Sequence, residues 1–254
     1  KLNRYLSPYK NIKFNGQDLG IVAGDIMYAM AIHAFLSVKE DMRQKEAALK
    51  KLIEAGIYTG SGEFIELLYG IKNIAEINKD GIYKIYDLKT ANYTFASPLS
   101  IGAILAGAKK EEVAKLFNYG IYVGRAFQIK DDILGMFEAK ARTGKPNLTD
   151  LQEAKKTILI WYAWNNSSRK NKAVIRKILL KRRVDKKDLL RMRKLVLASG
   201  ALGYAEEEIN TLLEKALSLN QSLRMQPKYK HSLDAYVKEL LSLSSIARFA
   251  TCSQ

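Results

Sequence analysis

Apolar residues recur every three to four positions along almost the whole chain, and nowhere do they alternate with polar ones long enough to make a strand. From Asp18 to about Val38, IVAGDIMYAMAIHAFLSV is small and apolar nearly all round, which predicts a helix at the centre of a bundle. A second long helix is predicted from about Lys39 to Tyr69, bent or broken near Gly60, Ser61 and Gly62. Asp80 or Gly81 opens a shorter helix that ends before Ser97 and Pro98. Pro98 then falls in the first turn of the next helix, where its missing N–H costs little. Lys109 to Phe137 reads as one long helix, and Thr143 to Thr149, with Gly144 and Pro146, as a loop. Helices from about Asp150, Asn171, Lys186, Tyr204 and Ser232 complete the chain. With no low-complexity linker and no internal repeat, the pattern predicts a single all-α domain over residues 1–254. Facing helices in such a bundle line a central cavity, the geometry in which bundles build metal sites.

Composition narrows the class. The chain has 254 residues, 48% of them hydrophobic, enough to bury a substantial single core. No uninterrupted apolar run approaches the roughly 20 residues that span a bilayer, and no signal-peptide pattern opens the chain. Cys252 is the single cysteine, so no internal disulfide forms, and a cytoplasmic location is the expectation. The formal net charge is +16, and thirteen lysines and arginines face only two aspartates between Arg169 and Lys194. Basic runs bind nucleic acid or anionic membranes, or raise the encounter rate with anions. Here Val174, Ile175, Ile178, Leu179, Leu180 and Val184 interleave with the charges at helical spacing. That pattern predicts surface helices with apolar inner faces and basic outer ones. The chain has no zinc-ligand cluster and no recognisable nucleic-acid module, which argues against nucleic acid as a partner.

The chemistry concentrates between Phe127 and Thr157. Gln128, Asp131, Asp132 and Gly135 stand at i, i+3, i+4 and i+7, one face of a helix. Both carboxylates can therefore reach a cavity together and offer hard oxygens to Mg²⁺, which takes one or two carboxylates plus waters and phosphate oxygens. Lys145 in a Thr-Gly-Lys-Pro turn, then Asp150, Lys155, Lys156 and Thr157, follow. Lysines supply point charges for phosphates. Lys130 precedes the aspartates and is expected to point elsewhere.

The order FQIKDDILG, TGKP, DLQEAKKT resembles the second aspartate-rich region of the trans-isoprenyl diphosphate synthases, most nearly their geranylgeranyl-type members. The resemblance implies the all-α isoprenoid synthase fold and two substrates, isopentenyl diphosphate and an allylic prenyl diphosphate. It implies Asp131 and Asp132 as magnesium ligands. It also implies Lys89, Thr90, Gln128, Lys145, Lys155 and Lys156 as diphosphate or substrate contacts, with Lys89, Asp131 and Asp132 central to catalysis. The reaction would be ionisation of the allylic diphosphate, attack by the double bond of isopentenyl diphosphate, and loss of a proton. The resemblance also implies a homodimer or a heteromer with a related subunit, and peripheral membrane contact is plausible because prenyl products are lipids.

Departures from the family pattern are specific. Gly135 stands where many relatives carry a third aspartate, and Gln152 and Ala154 replace an arginine and a glycine. Gly24 and Asp25 match a Gly-Asp pair at which close helix packing favours a small residue. Gly62 to Glu66, GEFIE, stands for the usual Gly-Gln-x-x-Asp. Glu63 thus puts an anion beside a diphosphate, unfavourable unless a cation compensates. The first aspartate-rich motif and the helices before it do not occur; Arg4 and Pro8 match only its trailing end, and no aspartate precedes Asp18. Two readings follow: a head-to-tail prenyltransferase of which these residues lack an N-terminal portion, or a non-catalytic subunit of a heteromeric synthase. Product chain length is set mainly near the missing motif and is not legible.

Overall fold

Short polar side chains cap the start of six of the helices. Asn15 accepts from the amides of Gln17 and Asp18 at 2.6 and 3.3 Å, and Asp18 accepts from the Asn15 amide at 2.8 Å, a reciprocal capping box that opens α1, Gly16–Leu36. Asp41 caps α2, Met42–Ile71, and Asn78 caps α3, Lys79–Tyr86. The chain then continues without a break through a π-helical stretch, Asp87–Ala96, into α4, Ser97–Leu105, with Pro98 in its first turn. After α5, Lys110–Phe137, come a single turn, α6, Thr149–Gln152, and α7, Ile158–Asn165, capped by Thr157. Ser168 caps α8, Arg169–Leu179, and an Asp185–Asp188 capping box opens α9, Lys186–Ala198. Finally α10, Ala201–Ser222, and α11, Pro227–Leu240, close the bundle. This computed structural model describes residues 4, 6–8, 11–138 and 148–242, and every regular element among them is a helix.

The centre of the bundle is α5. Tyr119, Val123, Ala126, Ile129, Ile133 and Met136 recur along it at helical spacing and are buried, mainly against α10 on one side and the π-helical stretch on the other. The π-helical side is reached through two glycines. A Cβ on Gly120 would lie 2.4 Å from the Ala96 Cα, and one on Gly124 would lie 2.3 Å from the Ala91 Cα. No side chain fits there, so two helix backbones meet almost directly. Short α7, with Ile158, Leu159, Ile160 and Ala163 all buried, fills the other end of the core.

Several expectations need correction. α1 is not central: of its residues only Gly16 is buried, and Ile21, Val22, Ile26, Met27 and Met30 are exposed. Apolarity all round marks burial only when neighbours exist on all sides, and among the described residues α1 packs chiefly along α2. α1 is also long and apolar enough, by length and composition, to cross a membrane; Asp18 and Asp25 interrupt a strict apolar run without making the helix polar. Gly24 has nothing within 4 Å of a Cβ placed on it, so no close packing explains it among the described residues. α2 is one continuous helix through Gly60 and Gly62. Gly62 serves close approach, since a Cβ there would come within 2.8 Å of the Lys89 amide nitrogen. The helix expected from Asp150 is two helices, because Ala154 turns the chain at φ 50° and Thr157 restarts it. The predicted loop at 143–149 lies largely outside the described residues.

Replacing Gly120 with Val forces two backbones apart. Chemical unfolding followed by circular dichroism should show a loss of about 1–3 kcal/mol from overpacking. Gly203 lies exposed in α10 with nothing within 4 Å of its Cβ position, and Gly203→Ala should instead gain about 0.4–1 kcal/mol in the same assay.

Candidate active site

The face of α5 that carries Gln128, Asp131, Asp132 and Gly135 opens on a cavity of about 650 Å³. Across it stand Tyr86 of α3, Lys89, Thr90 and Tyr93 of the π-helical stretch, Glu66 and Tyr69 of α2, and Asp150, Lys155 and Lys156 around α6. Its polar wall is a connected chain of hydrogen bonds. Thr90 Oγ1 donates to Gln128 Oε1 at 2.6 Å, and Gln128 Nε2 donates to Asp132 Oδ1 at 3.0 Å. The Tyr86 hydroxyl donates to Asp132 Oδ2 and accepts from the Ile158 amide at 3.1 Å. Four elements are thereby tied to one carboxylate.

Asp132 is 6% exposed, while its neighbour Asp131 is exposed at the cavity. Burial pushes the Asp132 carboxyl up to about 8, against the lowering effect of Tyr86 and Gln128, and the charges of Asp150 and Asp131 push it further. Asp150 reaches into the place left by Gly135: its Oδ2 lies 2.9 Å from where a Cβ on that glycine would be.

The cations of the site are already engaged. Lys89 Nζ bonds Glu66 and lies 2.9 Å from Glu63. Burial lowers its affinity for the proton, but the two glutamates outweigh that and leave its pKa above the ordinary value. Lys155 lies 2.9 Å from Asp150 and 3.2 Å from Glu153; burial opposes its charge and these carboxylates overcome it, so its pKa is raised too. Lys156 has no carboxylate beside it among the described residues. It donates to the Gly70 carbonyl at 2.6 Å, and burial pulls its pKa down to about 8.

The polyprenyl synthetase family profile matches residues 8–196. The geranylfarnesyl diphosphate synthase of Aeropyrum pernix is 33% identical over 231 residues, covering 90% of this chain and 68% of that protein. This chain belongs to the polyprenyl synthetase family. The geranylgeranyl diphosphate synthase of Sulfolobus acidocaldarius is 28% identical over 217 residues, 84% of this chain and 64% of its own length. A geranylgeranyl pyrophosphate synthase from Corynebacterium glutamicum, solved with isoprenyl diphosphate and magnesium, superposes with a TM-score of 0.84 at 24% identity over 95% of this chain and 68% of that one. At that identity the likeness is one of fold, an all-α bundle. α1 lies inside the matched family region, and its apolar sides are part of a synthase fold.

For a polyprenyl synthetase the donor set fits magnesium in chemistry and falls short in number. Asp131 and Asp132 offer hard oxygens, and a bound cation would offset the burial and the neighbouring carboxylates that push the Asp132 carboxyl up. No group of three or more His, Cys, Asp or Glu side chains among the described residues is placed to hold an ion. Asp131 and Asp132 would supply part of a coordination shell, with waters and phosphate oxygens supplying the rest, as magnesium accepts.

The structure gathers Lys89, Thr90, Gln128, Asp131, Asp132, Lys155 and Lys156 at one cavity, as their order in the sequence implies. Lys145 lies outside the described residues. Lys130 turns away, donating to the Leu240 and Ser242 carbonyls at 2.7 and 2.8 Å, as expected. Asp25 makes no hydrogen bond or ion pair among the described residues and is exposed. The cation that compensates Glu63 is Lys89 itself. Tyr86 escaped sequence reasoning. Its signal was available, because it stands three and four residues before Lys89 and Thr90, on the same helical face.

Glu63→Gln removes one of two anions that hold Lys89. Titration calorimetry with inorganic diphosphate and Mg²⁺ should show about two- to fivefold tighter binding, the size expected for a half-exposed ion pair.

Lys156 generates a pH dependence. Its folded pKa of about 8 lies below the ordinary 10.5, so between those values the unfolded chain holds more protons and stability rises with pH. The unfolding free energy of the wild type relative to Lys156→Met should therefore climb from pH 8 to 10.5 in urea titrations, on the order of 1–3 kcal/mol.

Proposed function

We propose that this polyprenyl synthetase acts as a head-to-tail prenyltransferase, condensing isopentenyl diphosphate with an allylic diphosphate to give a geranylgeranyl-type or longer polyprenyl diphosphate. The observation that carries the reading is the make-up of one cavity wall. Asp131, Asp132, Lys89, Lys155 and Lys156 line it together with Ile82, Ile85, Phe127 and Leu134, the chemistry that a charged headgroup with an isoprenoid tail requires.

Lys89, Lys155 and Lys156 would neutralise the diphosphates, with Lys145 added from the segment beyond α5. Thr90 and Gln128 would orient the headgroup through the same hydrogen-bond chain that fixes Asp132. Magnesium, when bound at Asp131 and Asp132, would supply Lewis-acid stabilisation of the leaving diphosphate. The apolar wall keeps water away from an allylic cation. Tyr93 lines this cavity and also a second, mainly apolar groove of about 640 Å³ bounded by Leu52, Ala55, Pro98 and Ile101; the growing tail would extend that way. The exposed apolar sides of α1 and α2 would be covered in a homodimer or a heteromer with a related subunit. Each relative named above is itself named a synthase, and nothing favours a non-catalytic role.

The deciding experiment supplies labelled isopentenyl diphosphate, farnesyl diphosphate and Mg²⁺ to the purified native protein. Metal-dependent elongation should appear, and Asp131→Ala/Asp132→Ala should lower it by at least about a hundredfold, the scale of losing electrostatic stabilisation of a leaving group. Absence of turnover by the verified native protein, with substrates bound, would overturn the proposal.

A further inference from the structure

Helices α8 and α9 bury one face each. Ile175, Ile178 and Leu179 point inward from the first, and Leu189, Met192, Leu195 and Val196 from the second. What they leave outside is unusually one-sided. Lys170, Lys177, Arg182, Arg183, Lys187 and Lys194 are exposed and make no ion pair among the described residues. The two aspartates of the region do not offset them. Asp185 caps α9, and buried Asp188 takes Lys181 at 2.6 and 2.7 Å and the Asp185 amide at 3.1 Å.

Two large apolar residues sit among these cations. Leu180, expected from its spacing to face inward, is 75% exposed at the end of α8, and Leu190 is 54% exposed on α9. Lys187, Leu190, Arg191 and Lys194 share one exposed face of α9 at i, i+3, i+4 and i+7. On α8, Ala173, Arg176 and Lys177 are exposed on one face, and Leu180 follows just past its last turn.

We propose that the α8–α9 hairpin is a docking surface for an anionic lipid bilayer. Cations placed near such a surface are attracted to it, while leucines on the same face enter the acyl boundary. A nucleic acid would match the charge but not the leucines. Single-stranded nucleic acid is also bound on exposed aromatic platforms, and the outward faces of α8 and α9 carry none; Trp164, with Lys172 and Arg176 over its ring, is buried. The surface is also coupled to the synthase cavity. Gln152 of α6 donates to the Arg182 carbonyl at 2.8 Å and accepts from the Val184 amide at 3.1 Å, and Arg193 donates to the Met136 carbonyl at 2.5 Å. Docking would thus hold the elements that carry Asp132 and Asp150 at the bilayer. Membrane docking stands apart from the proposed activity, because its test reads binding and not turnover.

The test is co-sedimentation of the purified chain with vesicles of phosphatidylcholine alone or with about one third phosphatidylglycerol. Binding should require the anionic lipid and fall steeply between low and high salt. Lys177→Gln, Arg183→Gln and Lys187→Gln should each weaken it about fivefold, and Leu180→Ser/Leu190→Ser, with every charge kept, about tenfold. These side chains are exposed, and circular dichroism confirms that each variant is folded. Equal binding to neutral vesicles would assign it to the apolar sides of α1 and α2 and overturn the proposal. So would an absence of binding, or indifference to the leucine pair together with tighter binding to duplex DNA.

Discussion

Two helix backbones touch where α5 crosses the π-helical stretch, Gly120 against Ala96 and Gly124 against Ala91, and the candidate site depends on that contact. Because no side chain intervenes, the turns that follow on α5 face Tyr86 and Thr90 at hydrogen-bonding distance. Gln128 can then bridge Thr90 to Asp132, and Asp132 can reach Tyr86. A bulkier residue at either glycine would move α5 outward and leave a buried carboxylate without its donors. Such a group carries a desolvation cost of several kcal/mol. Tight packing here therefore secures the polar wall as well as the core.

The same wall sets an electrostatic competition. Lys89 and Lys155 are held by carboxylates of their own chain, while Lys156 rests on a carbonyl. A diphosphate entering the cavity must displace Glu63 and Glu66 from Lys89, or Asp150 and Glu153 from Lys155, before it gains the full benefit of either cation. A doubly or triply charged anion would offer each lysine more charge than a single carboxylate does, so internal pairing would favour it over weaker anions.

Periodicity and caps made most of this legible in the sequence. α5 and its one-faced quartet Gln128, Asp131, Asp132 and Gly135 emerge intact because each is a matter of helical spacing. The outward basic faces of α8 and α9 were readable for the same reason. What failed was anything that depends on neighbours distant in the chain. α1 has the pattern of a core helix and lacks the surroundings of one, while the buried α7 is only eight residues long and hides behind its tryptophans. Gly62 reads as a hinge, yet it is a point of contact with a backbone twenty-seven positions away. Leu180 completes an apolar spacing and then faces solvent, because the helix ends at Leu179.

The π-helical stretch has a bearing on how this site tolerates change in length. Asp87–Ala96 runs directly from α3 into α4 with no loop at either end, and a π-helix bonds each amide one residue further back than an α-helix does. An insertion or deletion there has no slack to disappear into. It would convert turns between the two forms and rotate everything downstream, carrying Lys89 and Thr90 off the cavity while Gly120 and Gly124 lost the alanines they rest on. Evolutionary drift in loop length, harmless elsewhere on such a bundle, would here act as a change of angle. The ten residues behave as a gauge of rotation between the substrate cavity and the helix behind it.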